Sequence, residues 1–217
     1  EMIGIVNIAR KFGSNAEPIG EDDLNTLKTI VSLSGTAIMS AIYHEKKKET
    51  EKLNQELKIA KNIQENLLPQ KLPSIDKFIF SKLSESAHII GGDYFDFLHF
   101  EDHKIGIVIA DIVGRGIPAG LFMGMLKSIV NSHITKDISP KIAMQKINQT
   151  LFNDPVINKF IPLFYGIINT KEMTFQFTNS GQEPPLLLRN GKFKQLDTKG
   201  FPLGGYENSV FEEQTIK

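Results

Sequence analysis

Two apolar runs of strand length, Phe95–Phe100 and Ile105–Ala110, stand on either side of the polar tetrapeptide Glu101-Asp102-His103-Lys104. A polar turn between two such runs folds them back on each other as an antiparallel pair. The hairpin brings its two outer ends together. These are Gly91-Gly92-Asp93-Tyr94-Phe95-Asp96 and Ala110-Asp111-Ile112-Val113-Gly114-Arg115-Gly116-Ile117-Pro118-Ala119. Asp93 and Asp111 then fall near the same end of the ladder, each where an apolar run meets glycines. Two carboxylates brought face to face make a site for hard divalent cations, which prefer oxygen ligands. Gly91 and Gly92 permit close approach of a ligand. Exposed backbone after Asp111 can add a carbonyl oxygen, most simply that of Ile112. Each motif alone reads equally well as a polar strand end with a turn; the pairing is what favours a metal.

The pattern around this hairpin is that of an α+β domain over residues 74–217. An apolar run at Phe78–Leu83 reads as a further strand. Pro118 suits a first helical turn and leads through Leu121, Phe122, Met125, Leu126, Ile129 and Val130, predicting a helix over 118–132. Ser139-Pro140 caps a second helix with Ile142, Ala143, Ile147 and Leu151 on one face. Strand-like runs resume at Leu163–Ile168, Met173–Thr178, Pro185–Leu188 and Phe193–Leu196, and Asn190-Gly191 marks a tight hairpin between the last two.

Residues 45–73 differ. Glu45-Lys46-Lys47-Lys48-Glu49 opens a polar stretch in which Leu53, Leu57, Ala60, Gln64 and Leu67 recur at spacings of 4, 3, 4 and 3, a heptad seam. This predicts a linker helix over 45–68 that pairs with a second copy as a short coiled coil, ended by Pro69 and Pro73. A solvated helix packed on its own domain is the alternative. Before it, Ile3–Ala9 reads as a strand, followed by a loop with Gly13, Pro18 and Gly20. Glu21-Asp22-Asp23 then supply negative charge at a helix N-terminus, and Leu24, Leu27, Ile30, Val31, Ile38 and Ile42 form its apolar stripe. The chain opens within a strand-like run and is expected to be a piece of something longer.

Composition removes several classes of function. There is no cysteine, which excludes disulfides, thiolate metal sites and cysteine nucleophiles and suits a cytoplasmic protein. Lys and Arg number 25 against 25 Asp and Glu, so no global field recruits nucleic acid. Lys46–Lys48 has Glu beside it and no interleaved aromatics, as on a solvated helix face. No apolar run approaches the roughly 20 residues that span a bilayer. The five histidines, His44, His88, His99, His103 and His133, lack ligand spacing and read as surface or packing residues.

The two aspartate motifs resemble those of the SpoIIE/RsbU type of metal-dependent PPM protein phosphatase. That family carries Gly-Gly-Asp-Tyr-aromatic-Asp, here Gly91–Asp96, and then Asp-(Val/Ile)-x-Gly-(Lys/Arg)-Gly-x-Pro-Ala, here Asp111–Ala119. Ala60-x-x-Ile63-Gln64-x-x-Leu67-Leu68-Pro69 resembles the segment preceding such domains. Leu163-Phe164-Tyr165-Gly166, Asn179-Ser180-Gly181-Gln182-Glu183-Pro184-Pro185-Leu186-Leu187 and Gly200-Phe201-Pro202-Leu203-Gly204 resemble later motifs in the expected order. Residues 1–44 resemble the last strand and helix of a GAF sensor domain.

The resemblance implies a layered α-β-β-α sandwich behind a long linker helix. It implies hydrolysis of phosphoserine or phosphothreonine on a regulatory protein, such as an anti-sigma-factor antagonist. Asp111 would bridge two manganese or magnesium ions, with Asp93 and the Ile112 carbonyl completing parts of their shells; the two cations activate a water for in-line attack. Helix 118–132 would bear on Asp111 as a switch element. Asp96 is either an outer-shell residue or a solvent-facing one. Three departures stand out. Gln182 and Ser180 replace the His and Ala of an Asn-Ala-Gly-His motif, Arg115 takes a position more often Lys, and no Thr-Asp-Gly strand with the family's further aspartates occurs before Lys217. The metal set is therefore expected to be incomplete, and a catalytically incompetent dimeric binding module is the competing reading. The Gly-Gly-Asp-Tyr-Phe likeness to diguanylate cyclases fails at Tyr94, where that signature needs an acid.

Overall fold

The computed structural model describes residues 4–6, 20–86, 89–101, 103–154 and 160–217. The chain divides into two compact units, Glu1–Glu56 and Leu57–Lys217. The strand expected at Ile3–Ala9 lies mostly outside the described residues, as does the loop with Gly13 and Pro18.

The first unit is described chiefly by helix α1 (Glu21–Leu67), whose later residues belong to the second unit. Its start is explained by local chemistry. Glu21, Asp22 and Asp23 place negative charge in the first turn, and Asp23 Oδ2 accepts the Gly20 N–H at 3.2 Å. The helix is a single 47-residue element, so the two helical segments read from the sequence join without a break.

The second unit is built on a five-stranded antiparallel sheet. Strands β1 (Asp93–Phe100) and β2 (Lys104–Asp111) form the hairpin at one edge of the sheet, followed by helices α2 (Ile117–His133) and α3 (Pro140–Asn153). Strands β3 (Leu163–Asn169), β4 (Thr174–Ser180), β5 (Leu186–Arg189), β6 (Lys192–Gln195) and β7 (Gln214–Ile216) complete it. The sheet order is β1-β2-β3-β4-β7, with β5 and β6 a separate two-stranded ribbon. Alternation along the strands sets the two faces. Tyr94, Val108, Ala110, Leu163, Tyr165 and Ile167 point to one side and are buried there with Met123, Leu126 and Val130 of α2 and Ala143, Met144, Ile147 and Leu151 of α3. Burying each of the larger aliphatic side chains contributes about 1.5–3 kcal/mol. On the other side Phe164, Phe175 and Phe177 gather, and Leu187 and Leu196 pack on them. The expected α+β layering is present.

Turns account for most of the differences in element boundaries. Lys104 pairs with Phe100 as a strand residue, leaving a shorter loop in which His103 takes φ 62°. Met173, at φ 56°, belongs to the turn before β4 and delays that strand by one residue. Asn190 and Gly191 take φ 50° and 73°, the double positive φ of a tight hairpin turn. Ser139 caps α3 through Oγ to the Ile142 N–H at 3.5 Å. The run Phe78–Leu83 does not become a strand. Only an isolated bridge between Ile75 and Phe78 forms. Phe80 packs edge-on against Phe97 at 5.6 Å, whereas Ile79 and Leu83 are 97% and 84% exposed. An apolar run becomes a strand only where a neighbouring backbone accepts its hydrogen bonds. Strand β7, three residues long, carried no sequence signal.

Candidate metal centre

Asp93 stands directly opposite Asp111 in the β1–β2 register, the first residue of one strand facing the last of the other. Directly opposed residues hold their Cβ atoms about 4.5–5.5 Å apart, close enough for both carboxylates to approach the same point in space. Both are exposed, on the sheet face turned away from α2 and α3. The backbone beyond them is fixed. Ile112 donates its N–H to Gly92 O at 3.0 Å, and Asp111 donates its own to Pro162 O at 3.2 Å, just before β3. A Cβ on Gly92 would stand 2.3 Å from Ile112 O and 3.5 Å from Asp111 Oδ1. The Ile112 carbonyl and the Asp111 carboxylate therefore converge on the space beside Gly92, which only glycine leaves open. The Ile112 side chain meanwhile anchors in the core at 1% exposure.

The segment leading into Asp93 is held by the end of α1. The Gln64 carboxamide bonds Gly91 twice, accepting its N–H at Oε1 (3.1 Å) and donating from Nε2 to its carbonyl (2.6 Å). Gln64 is 7% exposed. Its partner edge, with Leu57, Ala60 and Leu67 half-buried, is the edge read from the sequence as a seam for a second copy; from Leu57 onward it faces its own unit in part. On α2, Gly120 lies against Ile90 and Gly124 against Leu67, so the absence of side chains there lets the end of α1 approach. Lys127 Nζ donates to Leu67 O at 2.7 Å, capping the α1 C-terminus, whose last turn has no basic residue of its own.

Lys127 also pairs with Asp96 at 2.7 Å. Asp96 lies three residues beyond Asp93 on β1 and faces the opposite side of the sheet. It is 7% exposed and accepts from Tyr94 Oη at Oδ2 (3.1 Å) and from its neighbour Phe97 N–H at Oδ1 (3.0 Å). It is neither a solvent-facing residue nor an outer-shell partner of the carboxylate pair. Burial and then the Asp96 charge push the Tyr94 hydroxyl well above its ordinary value; burial alone does the same for Tyr165. Tyr165 Oη is buried with no hydrogen-bond partner among the described residues.

A cavity of about 700 Å³ lined by Lys61, Gln64, Lys82, Ser86 and Gly91 opens onto Asp93. A neighbouring cleft of about 730 Å³ adjoins Asp93, Phe95 and Ile109, and Gln182 lines it. Gln182 is thus on the carboxylate side of the sheet, its backbone clamped by Asn179 (N–H to Oδ1 2.9 Å, carbonyl from Nδ2 2.8 Å). Arg115 is exposed. His44, His99 and His103 are exposed, His133 bonds Thr150 Oγ1 at 2.7 Å, and His88 lies outside the described residues.

The donors are all oxygens, as manganese or magnesium require. They fit one side of such an ion. Among the described residues no group of three or more His, Cys, Asp or Glu gathers. Sequence reasoning found the carboxylate pair and missed Gln64 and Lys127 as site supports, because their partners lie 27 and 60 residues away.

The sequence profile of Stage II sporulation protein E (SpoIIE) matches residues 101–217. Phosphoserine phosphatase RsbU of Bacillus subtilis is 28% identical over 98% of this chain and 65% of its own length. Phosphoserine phosphatase RsbP of the same organism is 27% identical over 76% of this chain and 42% of its own. The chain thus spans less than two thirds of either relative. The SiaA-PP2C domain of Pseudomonas aeruginosa superposes with a TM-score of 0.61 at 17% identity, covering 77% of this chain and 68% of that one, a likeness of fold. Among the described residues no helix is long and apolar enough to cross a membrane.

Proposed function

Because the chain belongs to the SpoIIE family of PPM-type phosphatases, we propose that it hydrolyses phosphoserine or phosphothreonine on a regulatory protein of the anti-sigma-factor-antagonist type. The observation that supports this reading most is the register pairing of Asp93 with Asp111, with the Ile112 carbonyl converging beside Gly92. Asp111 would be the principal ligand for manganese or magnesium, and Asp93 and the Ile112 carbonyl would help hold the metal beside it. When bound, such a metal supplies an acidified water and neutralises charge on the phosphoryl oxygens. The chain's own part is positional. Gln64 fixes the backbone of Gly91, Gly92 keeps the approach to Asp111 open, and α2 comes soon enough after Asp111 to bear on it as a switch.

Residues 1–44 act in this reading as the end of a GAF-like sensor in a cytoplasmic protein, and the helix over 45–68 joins two copies. Light scattering at micromolar concentration then gives a dimer, and a monomer with that helix intact rejects the pairing. A catalytically incompetent binding module is the second reading, favoured by there being only two gathered carboxylates among the described residues. The two readings separate in a manganese-dependent assay of the full-length protein with para-nitrophenyl phosphate and a phosphoserine protein. Asp111→Ala is expected to lower turnover at least about a hundredfold, the scale of one lost preorganised electrostatic contact. Unchanged turnover would reject the metal assignment, and no turnover by the wild type would favour the binding module.

A further inference from the structure

Gln182 has no part in the chemistry proposed above, yet the fold delivers it to the same cleft of about 730 Å³ that adjoins Asp93. Ser180, the last residue of β4, pairs with Leu163, and Leu163 pairs with Ala110, the neighbour of Asp111. Adjacent strands stand about 4.8 Å apart, so the end of β4 lies about 10 Å from the end of β2. Both ends belong to the edge of the sheet at which the two carboxylates face each other. The turn that carries Gln182 off that edge is fixed. Asn179, 2% exposed, accepts the Gln182 N–H at Oδ1 (2.9 Å) and donates from Nδ2 to its carbonyl (2.8 Å). The same Nδ2 reaches Asp197 Oδ1 at 3.1 Å, and the Asn179 N–H donates to Thr198 Oγ1 at 2.7 Å. Gly181 takes φ 75°, and a Cβ there would stand 2.7 Å from Pro202 Cγ. On this held backbone the half-buried Gln182 carboxamide makes no hydrogen bond among the described residues.

A carboxamide presents an N–H donor and a carbonyl acceptor side by side, which is the complement of a peptide group. The molecule already contains one such pairing. Gln64 accepts the Gly91 N–H at 3.1 Å and donates to the Gly91 carbonyl at 2.6 Å. Gln182 offers the same two atoms with neither engaged, at the rim of a cleft whose floor includes the apolar Phe95, Ile107 and Ile109. It carries no charge to attract a phosphoryl group, and its distance along the sheet sets it beside the carboxylate pair rather than over it. An extended chain advances roughly 3.3 Å per residue, so that distance corresponds to about three residues. We propose that Gln182 is a substrate-binding residue that clamps one peptide group of the phosphorylated polypeptide, within about three residues of its phosphoserine, with the N–H on Oε1 and the carbonyl on Nε2. Because the backbone of Gln182 is held in advance, little freedom is lost on contact. The proposal rests on the phosphatase reading and deepens it, since a clamp on the main chain recognises a polypeptide whatever its neighbouring side chains.

The test uses full-length protein with manganese and three kinds of probe. These are para-nitrophenyl phosphate, an alanine-flanked phosphoserine peptide, and copies of that peptide carrying one N-methyl group at successive positions on either side of the phosphoserine. Gln182→Leu, of similar size, is expected to lower the ratio of kcat/KM on the peptide to that on para-nitrophenyl phosphate about tenfold, the scale of a pair of hydrogen bonds, with the loss in KM. In the wild type, methylation at one position lowers the ratio by a similar factor, and Gln182→Leu does not respond to methylation there. Serine in place of the flanking alanines leaves the effect of Gln182→Leu as it was. An unchanged ratio in Gln182→Leu, an equal fall on both small and peptide probes, or methylation losses identical in variant and wild type overturns the clamp alone. So does a wild-type scan in which no single methylation matters, a result that needs no variant to fold. Hydrolysis of none of the probes by the wild type overturns the phosphatase reading and the clamp with it.

Discussion

Asp93 and Asp96 sit three residues apart on one strand and have opposite fates. Asp93 is exposed, with a second carboxylate, Asp111, directly across the ladder. Asp96 is buried on the other face, with Lys127, Tyr94 and a backbone N–H gathered around it. The first arrangement concentrates like charge where water can reach it, which destabilises the free protein and suits a cation. The second neutralises a charge that water cannot reach, which fixes the helix layer to the sheet. One strand thus holds a carboxylate that the proposed function assigns to binding and another that serves architecture.

The contrast breaks most readily at Asp96. Asp96→Ala strips Lys127 and Tyr94 of their shared partner and is expected to cost about 3 kcal/mol, read as a lowered urea midpoint with or without manganese. A loss below about 1 kcal/mol would mean that Lys127 finds water and that the pair binds the layers only weakly. Next in size is an alkaline effect. The Tyr94 hydroxyl is raised in the folded protein by burial and by Asp96, so folding favours its protonated form. That contribution is complete below pH ~10 and is lost as pH rises above it, because the unfolded chain then releases the proton more readily. Urea midpoints at pH 9 and 11 should therefore fall less steeply in Tyr94→Phe than in the wild type; an equal fall would place the cause in Tyr165 alone. The smallest effect belongs to Asp93 and has the opposite sign. Asp93→Asn relieves repulsion from Asp111 and is expected to stabilise the metal-free protein by about 0.5 kcal/mol. Manganese is expected to raise the melting temperature of the wild type, and Asp93→Asn to remove that rise. If Asp93→Asn and Asp96→Ala shifted stability in the same direction, the division of labour along β1 would be wrong.

Much of this was legible from residue order. The turn at Glu101–Lys104 fixed the β1–β2 register to within a residue, and register alone set Asp93 against Asp111. Ser139 and Asn190-Gly191 announced a cap and a hairpin because their chemistry is local. Even the side on which Asp96 falls was available, since an odd separation of three along a strand reverses the face. What could not be read was which distant groups meet there. Lys127 looked like one polar position on a helix, and Gln64 like a polar member of a seam; their roles depend on backbone that arrives from elsewhere. Phe78–Leu83 shows the converse, an apolar run with strand-like composition and no ladder to join.

The hydrogen bonds from Gln64 and Lys127 bear on where the chain can be shortened. A protein cut to begin at residue 74, after the prolines, would lose the carboxamide that holds Gly91 and would leave Lys127 without the Leu67 carbonyl. Beginning at Leu57 keeps both. The last turns of the helix are by composition a linker, but in hydrogen bonding they belong to the unit C-terminal to them, so that unit starts upstream of the point where the helical pattern ends.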